Sequence, residues 1–148
     1  MSAHNHIVVA IDGPAASGKS SVAKILAREF GFTFVNSGAM YRAMTWHTLE
    51  QGIDPADSEA VIRLLHETNF TCGVRDGAST VAVNGRELND ELREQRVNDA
   101  VSAVSAIPEV RVRLVDEQRR YQELTDVITE GRDIGTVVFP DTPYKFYL

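Results

Sequence analysis

The sequence predicts an α/β protein with a parallel core sheet and a small antiparallel β insert. Three observations carry this. Short, continuously apolar runs (Ile7 to Ile11, Phe32 to Val35, Val127 to Thr129) alternate with helical patterns, as in sheets covered on both faces. A glycine-bearing segment joins the first run to the first helix, the strand–turn–helix order of a parallel unit. Alternating β-rich sequence with hairpin dipeptides is confined to residues 69–89.

The chain has 148 residues, 43% of them hydrophobic and 24% charged, which suits one globular domain with a buried core. Ile7 to Ile11 is the first strand. Lys19 to Phe30 reads as a helix, with Val22, Ile25, Leu26 and Phe30 along one side and Gly31 as its C-terminal cap. Phe32 to Val35 is the second strand. Ala39 to Gln51 is helical and closed by Gly52, and Ser58 to Thr68 is a helix capped by Asp57. Phe70 to Val74, Thr80 to Val83 and a piece near Glu87 form the insert, with turns at Asp76-Gly77 and Asn84-Gly85. One helix is expected over Asp90 to Ser105, burying Leu92, Val97, Val101 and Val104. Another starts at Pro108 and runs to about Leu124. Val127 to Thr129, ending in Glu130-Gly131, is a core strand, and Tyr144 to Leu148 is another.

Composition excludes several classes. With 15 basic and 21 acidic residues the net charge is −6, which speaks against a broad basic face for nucleic acid or anionic membrane. A small phosphorylated ligand needs only a few placed arginines. Cys72 is the single cysteine, so no internal disulfide or Cys-cluster metal site is available, and a reducing cytoplasm is the expected location. Met1 to His6 has no cationic or long apolar region, and no signal peptide or transmembrane run is expected. His4, His6, His47 and His66 lack metal-ligand spacing and read as ordinary surface or half-buried histidines. Met40, Met44 and Trp46 suit packing. Asp12 and Asp54 suit turn chemistry, Asp12 at the border of the glycine-bearing loop. Arg113, Arg119 and Arg120 suit a solvated helix face.

Gly13-Pro14-Ala15-Ala16-Ser17-Gly18-Lys19-Ser20 fits the phosphate-loop pattern G-x-x-x-x-G-K followed by Ser or Thr. Glycines let successive backbone N–H groups turn inward on concentrated negative charge. The helix that follows adds its positive end. Residues Gly13 to Ser20, with Ser21, are therefore the expected ATP-binding set. Lys19 reaches the β- and γ-phosphates, and the Ser20 hydroxyl ligates Mg²⁺ directly. This loop alone does not choose between kinase, GTPase and motor ATPase.

Two further segments narrow the choice. Asn36-Ser37-Gly38-Ala39-Met40-Tyr41-Arg42 follows the second strand, and Gly131-Arg132-Asp133-Ile134-Gly135-Thr136-Val137-Val138-Phe139-Pro140 follows a later one. Both lie where open α/β sheets place ligands. Together with the phosphate loop and Val101-Ser102-Ala103-Val104-Ser105-Ala106-Ile107-Pro108-Glu109-Val110-Arg111, they resemble the bacterial cytidylate kinase family along essentially the whole chain.

The resemblance implies a three-layer nucleoside monophosphate kinase fold. It implies transfer of the γ-phosphoryl group of ATP, with Mg²⁺, to CMP or dCMP. The matching positions make Ser37, Tyr41, Arg42, Ser102, Arg111, Arg132 and Asp133 the monophosphate-site residues, with Lys19 and Arg132 acting in catalysis. Cytosine chemistry agrees: Asp133 and Ser102 could accept from the exocyclic amine, and Arg111 could donate to N3 and O2. Uracil would set a carbonyl against Asp133. Arg42 and Arg132 would grip the phosphate as forks. Tyr41 and Ser102 also suit packing, and Asp133 beside Arg132 also suits an ion pair. Asn36 stands where the family commonly has Asp, so no general base is expected there. Glu130 could orient a water on Mg²⁺. Members of the family continue beyond the last strand with an arginine-bearing lid, further monophosphate-site residues and a final core strand. On that comparison residues 1–148 are an incomplete kinase domain, with the insert at 69–89 in its monophosphate-binding region. The expectation is a monomer when complete, and for the 148 residues alone little activity and self-association through the open edge strand. Another small-molecule kinase, or a non-catalytic nucleotide-binding module, is the alternative.

Overall fold

The computed structural model describes residues 6–148. His4, and Met1 to Asn5 of the segment in which no signal peptide is expected, lie outside the described residues. Two compact units divide the chain. The first holds the residues up to Ser37, Val74–Ser79 and Val115–Leu148, and the second holds Gly38–Gly73 and Thr80–Leu114.

The first unit is built on parallel strands. β1 (Val8–Asp12) lies between β6 (Val127–Gly131) and β7 (Tyr144–Tyr147), and β2 (Thr33–Asn36) pairs with the other side of β6. All these pairings are parallel, and Phe34 on β2 also pairs in parallel with Ala78 at the start of β4 (Ala78–Val83). The apolar runs explain the arrangement. Val8, Ala10, Ile11, Val35, Val127 and Ile128 are buried, as strands covered on both faces require. At the outer side β7 pairs only with β1 among the described residues, and Tyr144, Phe146 and Tyr147 are exposed.

Helix α1 (Lys19–Phe30) packs on β2 and β6, but not with the face expected from its bulky residues. Ala23 and Ala27 are buried, with Leu26 half-buried, whereas Val22, Ile25 and Phe30 are exposed. Residues four apart share a face, and two alanines let the helix approach Phe34 and Ile128 closely. Larger side chains on that stripe would hold it off the sheet.

In the second unit, α2 (Ser37–Glu50, reaching in from the first unit) buries Met40, Ala43, Met44 and Trp46 together with Thr45, His47 and Thr48. The Thr45 and Thr48 hydroxyls donate to the carbonyls of Tyr41 and Met44, which satisfies them inside the packed helix. His47 is buried rather than at the surface. Burial lowers its pKa, and its Nε2 has no hydrogen-bond partner among the described residues. Helix α3 (Ser58–Glu67) is capped by Asp57, whose carboxylate accepts from the amide of Ala60 at 3.2 Å.

The insert consists of β3 (Phe70–Arg75), β4 and β5 (Arg86–Glu87). Its turns have positive φ at both central residues, 52° and 76° at Asp76-Gly77 and 49° and 84° at Asn84-Gly85, as expected for such hairpins. The helix anticipated from Asp90 is split. A 3₁₀ turn covers Asp90–Arg93, Glu94 is extended, and α4 runs Gln95–Ser105. The cause is local: the Glu91 carboxylate accepts from the Asn89 amide and from Arg86, both at 2.9 Å, which favours a tight turn over helix entry. Val97 and Val104 are buried, but Leu92 and Val101 only partly. Helix α5 (Pro108–Leu124) follows and continues into the first unit. Among the described residues no helix is long and apolar enough to cross a membrane.

Candidate functional site

Within the first unit, β2, β6 and β1 are neighbours whose carboxyl ends lie side by side: Asn36 is in register with Glu130, and Gly131 with Asp12. Ser37, the Arg132-Asp133 pair and the phosphate loop therefore leave the sheet at the same end. A crevice at the carboxyl ends of parallel strands is where such sheets bind ligands.

The loop is shaped for an anion. Ala16 and Gly18 have φ of 62° and 86°, and Gly18 is the N-cap of α1. No side chain caps that helix and no acidic residue lies in its first turn, so its positive end is left for a ligand. At Gly13 a Cβ atom would fall 2.5 Å from the Leu148 carbonyl oxygen, which only glycine avoids. The Lys19 ammonium donates to the Pro14 carbonyl at 3.1 Å and so arches over the loop. The Ser17 hydroxyl oxygen is buried without a partner. It belongs to the loop itself and lies beside Gly13.

Behind the loop, the Ser20 hydroxyl donates to Glu130 Oε2 at 2.7 Å, and Glu130 is only 7% exposed. A hydroxyl and a carboxylate in contact are hard oxygen donors that fit Mg²⁺. The Ser37 hydroxyl is directed to the Glu130 backbone carbonyl at 2.9 Å. A Cβ at Gly131 would lie 2.8 Å from that hydroxyl oxygen and 2.9 Å from Ile134 Cδ1, so the strand end is tightly packed.

Arg132 is exposed and Asp133 half-buried. Asp133 opens a single π-helical turn, Ile134–Val138, closed by the Val138 amide on the Asp133 carbonyl at 3.2 Å and the Phe139 amide on the Ile134 carbonyl at 2.7 Å. Such wide turns recur at functional sites. Two charged residues hold it, each through contacts the sequence did not suggest. Asp12 is not merely a turn residue: its two carboxylate oxygens accept from the amides of Ile134 and Gly135 at 2.8 and 2.9 Å. Arg119 is exposed, as the sequence suggested, and its guanidinium also donates to the carbonyls of Val138 and Val137, both at 2.9 Å. Asp12 had a signal, a charge ending an otherwise apolar strand. Arg119 had none, being one of several arginines on α5.

The remaining sequence-derived residues lie in the second unit. Arg42, on α2, donates to the Leu92 carbonyl at 3.3 Å and to the Asn98 side-chain oxygen. Tyr41 and Arg111 are half-buried, and Ser102 is exposed on α4.

Comparison with known proteins was consistent along the chain. The family model described as cytidylate kinase matches residues 9–148. A cytidylate kinase of Mycobacterium leprae is 51% identical over 143 residues, covering 96% of this chain and 62% of the relative. One of Oceanobacillus iheyensis is 42% identical over 142 residues, with the same 96% and 62% coverage. A bifunctional pantoate ligase/cytidylate kinase of Synechococcus is 45% identical over 142 residues, covering 95% of this chain and 29% of the relative. The chain thus spans 62% of the length of the first two relatives.

Proposed function

The chain belongs to the cytidylate kinase family, and on that premise we propose that it transfers the γ-phosphoryl group of ATP to CMP or dCMP, giving ADP and CDP or dCDP. One observation carries the reading. The uncapped N-terminus of α1, the Ser20–Glu130 pair and the Arg132-Asp133 segment meet at one end of three adjacent parallel strands. That gathers a phosphate cradle, a pair of hard oxygen donors and a free guanidinium.

In this reading the loop amides and the helix dipole hold the ATP phosphates, and Lys19 offsets charge on the β- and γ-groups as it redistributes. Arg132 neutralises the acceptor phosphate, which lets two anions approach. That acceptor oxygen is already ionised and needs no base, so Asn36 in place of a carboxylate is no obstacle. Mg²⁺ bound with ATP would supply charge neutralisation across the phosphates, and Ser20 would hold it directly, with Glu130 acting through a water. Ser37 stays in the acceptor set because its hydroxyl oxygen can still accept a bond. Asp133 reads the cytosine amine. Tyr41, Arg42, Ser102 and Arg111 enter from the family resemblance, and Arg42 must exchange its bonds to Leu92 and Asn98 for phosphate. A cytoplasmic setting is part of the reading. So is self-association along the β7 edge at high concentration, which sedimentation would detect.

The test is ADP release by a form extended to the length of the relatives, with CMP, dCMP, UMP, AMP and shikimate as acceptors, beside calorimetry with CMP and ATP. Preference for CMP or dCMP supports the proposal. Preference for AMP or shikimate replaces it with another small-molecule kinase. Nucleotide binding without ADP release leaves a non-catalytic module.

A further inference from the structure

We infer that Asp12 and Arg119 are positioning residues that set Arg132 and Asp133 by clamping both ends of the π-helical turn behind them. The inference rests on the proposed acceptor role of Arg132 and Asp133.

A single π turn is a poor structure by itself, because its few wide bonds fix many backbone angles. This one is held from outside at both ends. Its leading amides, Ile134 and Gly135, donate to the two oxygens of Asp12. Its trailing carbonyls, Val137 and Val138, accept from the two arms of Arg119. The charges are matched to the dipole of the turn, a carboxylate at the amide end and a guanidinium at the carbonyl end. Asp12 is 9% exposed, so its bonds are shielded as well as charge-assisted.

The clamp has a further consequence. Asp12 is the last residue of β1, and the next residue, Gly13, opens the phosphate loop and donates its amide to the Gly131 carbonyl at 3.2 Å. The carboxylate thus ties the segment after β6 to the strand that carries the donor loop. Arg132 lies two residues before the first clamped amide. Each Asp12 oxygen accepts from one amide of the turn, and these two bonds are the positioning contact. Displacing a catalytic group by about 1 Å can cost about a hundredfold in rate, so loosening this turn should be felt at Arg132.

The test uses the full 148-residue chain, with CMP and ATP titrated by calorimetry and thermal unfolding followed in parallel. The variants are Asp12→Asn, Arg119→Gln, Arg132→Ala and the Asp12→Asn/Arg132→Ala double. Asparagine keeps the shape but turns an NH₂ group toward one of the two amides. We expect Asp12→Asn to weaken CMP about tenfold and ATP less than about twofold. Arg119→Gln should weaken CMP by a smaller factor in the same direction. In the Arg132→Ala background, Asp12→Asn should add less than its tenfold, since one of the two groups it positions is gone. Unchanged CMP affinity in Asp12→Asn, equal losses for CMP and ATP, or full additivity with Arg132→Ala would each overturn the inference. Should Asp12→Asn fail to fold, Arg119→Gln, which reaches the turn from the surface, decides by the same CMP-against-ATP comparison. A chain whose CMP binding is absent, or indifferent to Arg132→Ala, overturns the acceptor reading itself and this inference with it. Failure of Asp12→Asn beside a responsive Arg132→Ala overturns the inference alone.

Discussion

Arg132→Ala separates recognition from stability more cleanly than any other single change in the chain. Arg132 is exposed and has no ion-pair partner among the described residues. Its neighbours carry the packing: Gly131 is wedged against Ser37 and Ile134, and Asp133 opens the π turn. Removing the guanidinium deletes no buried contact, so folding stability should move by less than about 0.5 kcal/mol. If the side chain grips the acceptor phosphate, CMP binding loses a charge-assisted contact of about 1.5–3 kcal/mol, or about 10- to 150-fold in Kd. The assay is calorimetric titration of CMP into both proteins, with thermal unfolding as the control. Lys in place of Ala should recover part of the affinity, because it restores the charge without the fork. An unchanged CMP Kd would remove Arg132 from the site. An equal loss in ATP affinity would place it on the donor side. A large fall in Tm would show that the exposed side chain has a structural role the geometry does not reveal.

In a form extended to the length of the relatives, Lys19→Ala should lower ADP release by about 10²–10³-fold with little effect on the CMP Kd, because the ammonium arches over the donor loop; near-normal turnover would contradict that role. Ala23→Leu should destabilise by about 1–3 kcal/mol, since it overpacks the alanine face of α1, whereas Phe30→Ser on the exposed face should cost under about 0.5 kcal/mol; chemical denaturation distinguishes the two, and the reverse order would restore the bulky face as the buried one. His47, held below its usual pKa of 6.5 by burial, stays neutral in the fold while the unfolded chain takes up a proton. Its contribution is therefore complete above pH 6.5 and is lost as the pH falls toward its lowered folded value. His47→Gln should flatten the stability profile below pH 6.5, measured by denaturation at several pH values, and an unchanged slope would count against it.

Much of the fold was legible because its signals are local. Continuous apolar runs located the core strands, Asp-Gly and Asn-Gly fixed the hairpin turns, and Pro108 fixed the start of α5. The inward face of α1 was misread because apolar size was taken as the measure of burial, whereas close helix–sheet approach selected Ala23 and Ala27. The split before α4 depended on the Glu91 carboxylate bonding the Asn89 amide, a competition that no hydrophobic period records. His47 was missed because α2 is packed on most of its circumference, and no polar face marks its exposed side. At the site, the phosphate loop could be found by its contiguous pattern. The Asp12–Arg119 clamp could not, since it joins residues over a hundred positions apart through backbone groups whose identity leaves no trace in sequence.

A chain with net charge −6 proposed to bind two polyanions poses an electrostatic question that the local arrangement resolves. Two acidic side chains beside the phosphate loop are hydrogen-bonded: Asp12 to two amides and Glu130 to the Ser20 hydroxyl. The positive groups are not balanced in the same way. The N-terminus of α1 has no capping side chain and no acidic residue in its first turn, Lys19 leans on a neutral carbonyl, and Arg132 is exposed. Net charge governs the field beyond about 10 Å, where salt screens it, but a bound phosphate responds to partners within about 4 Å. The positive end of α1, Lys19 and Arg132 are the groups proposed to act at that range. The acidity of the rest of the surface then slows approach without weakening the contact once made, so added salt should help association more than it harms retention.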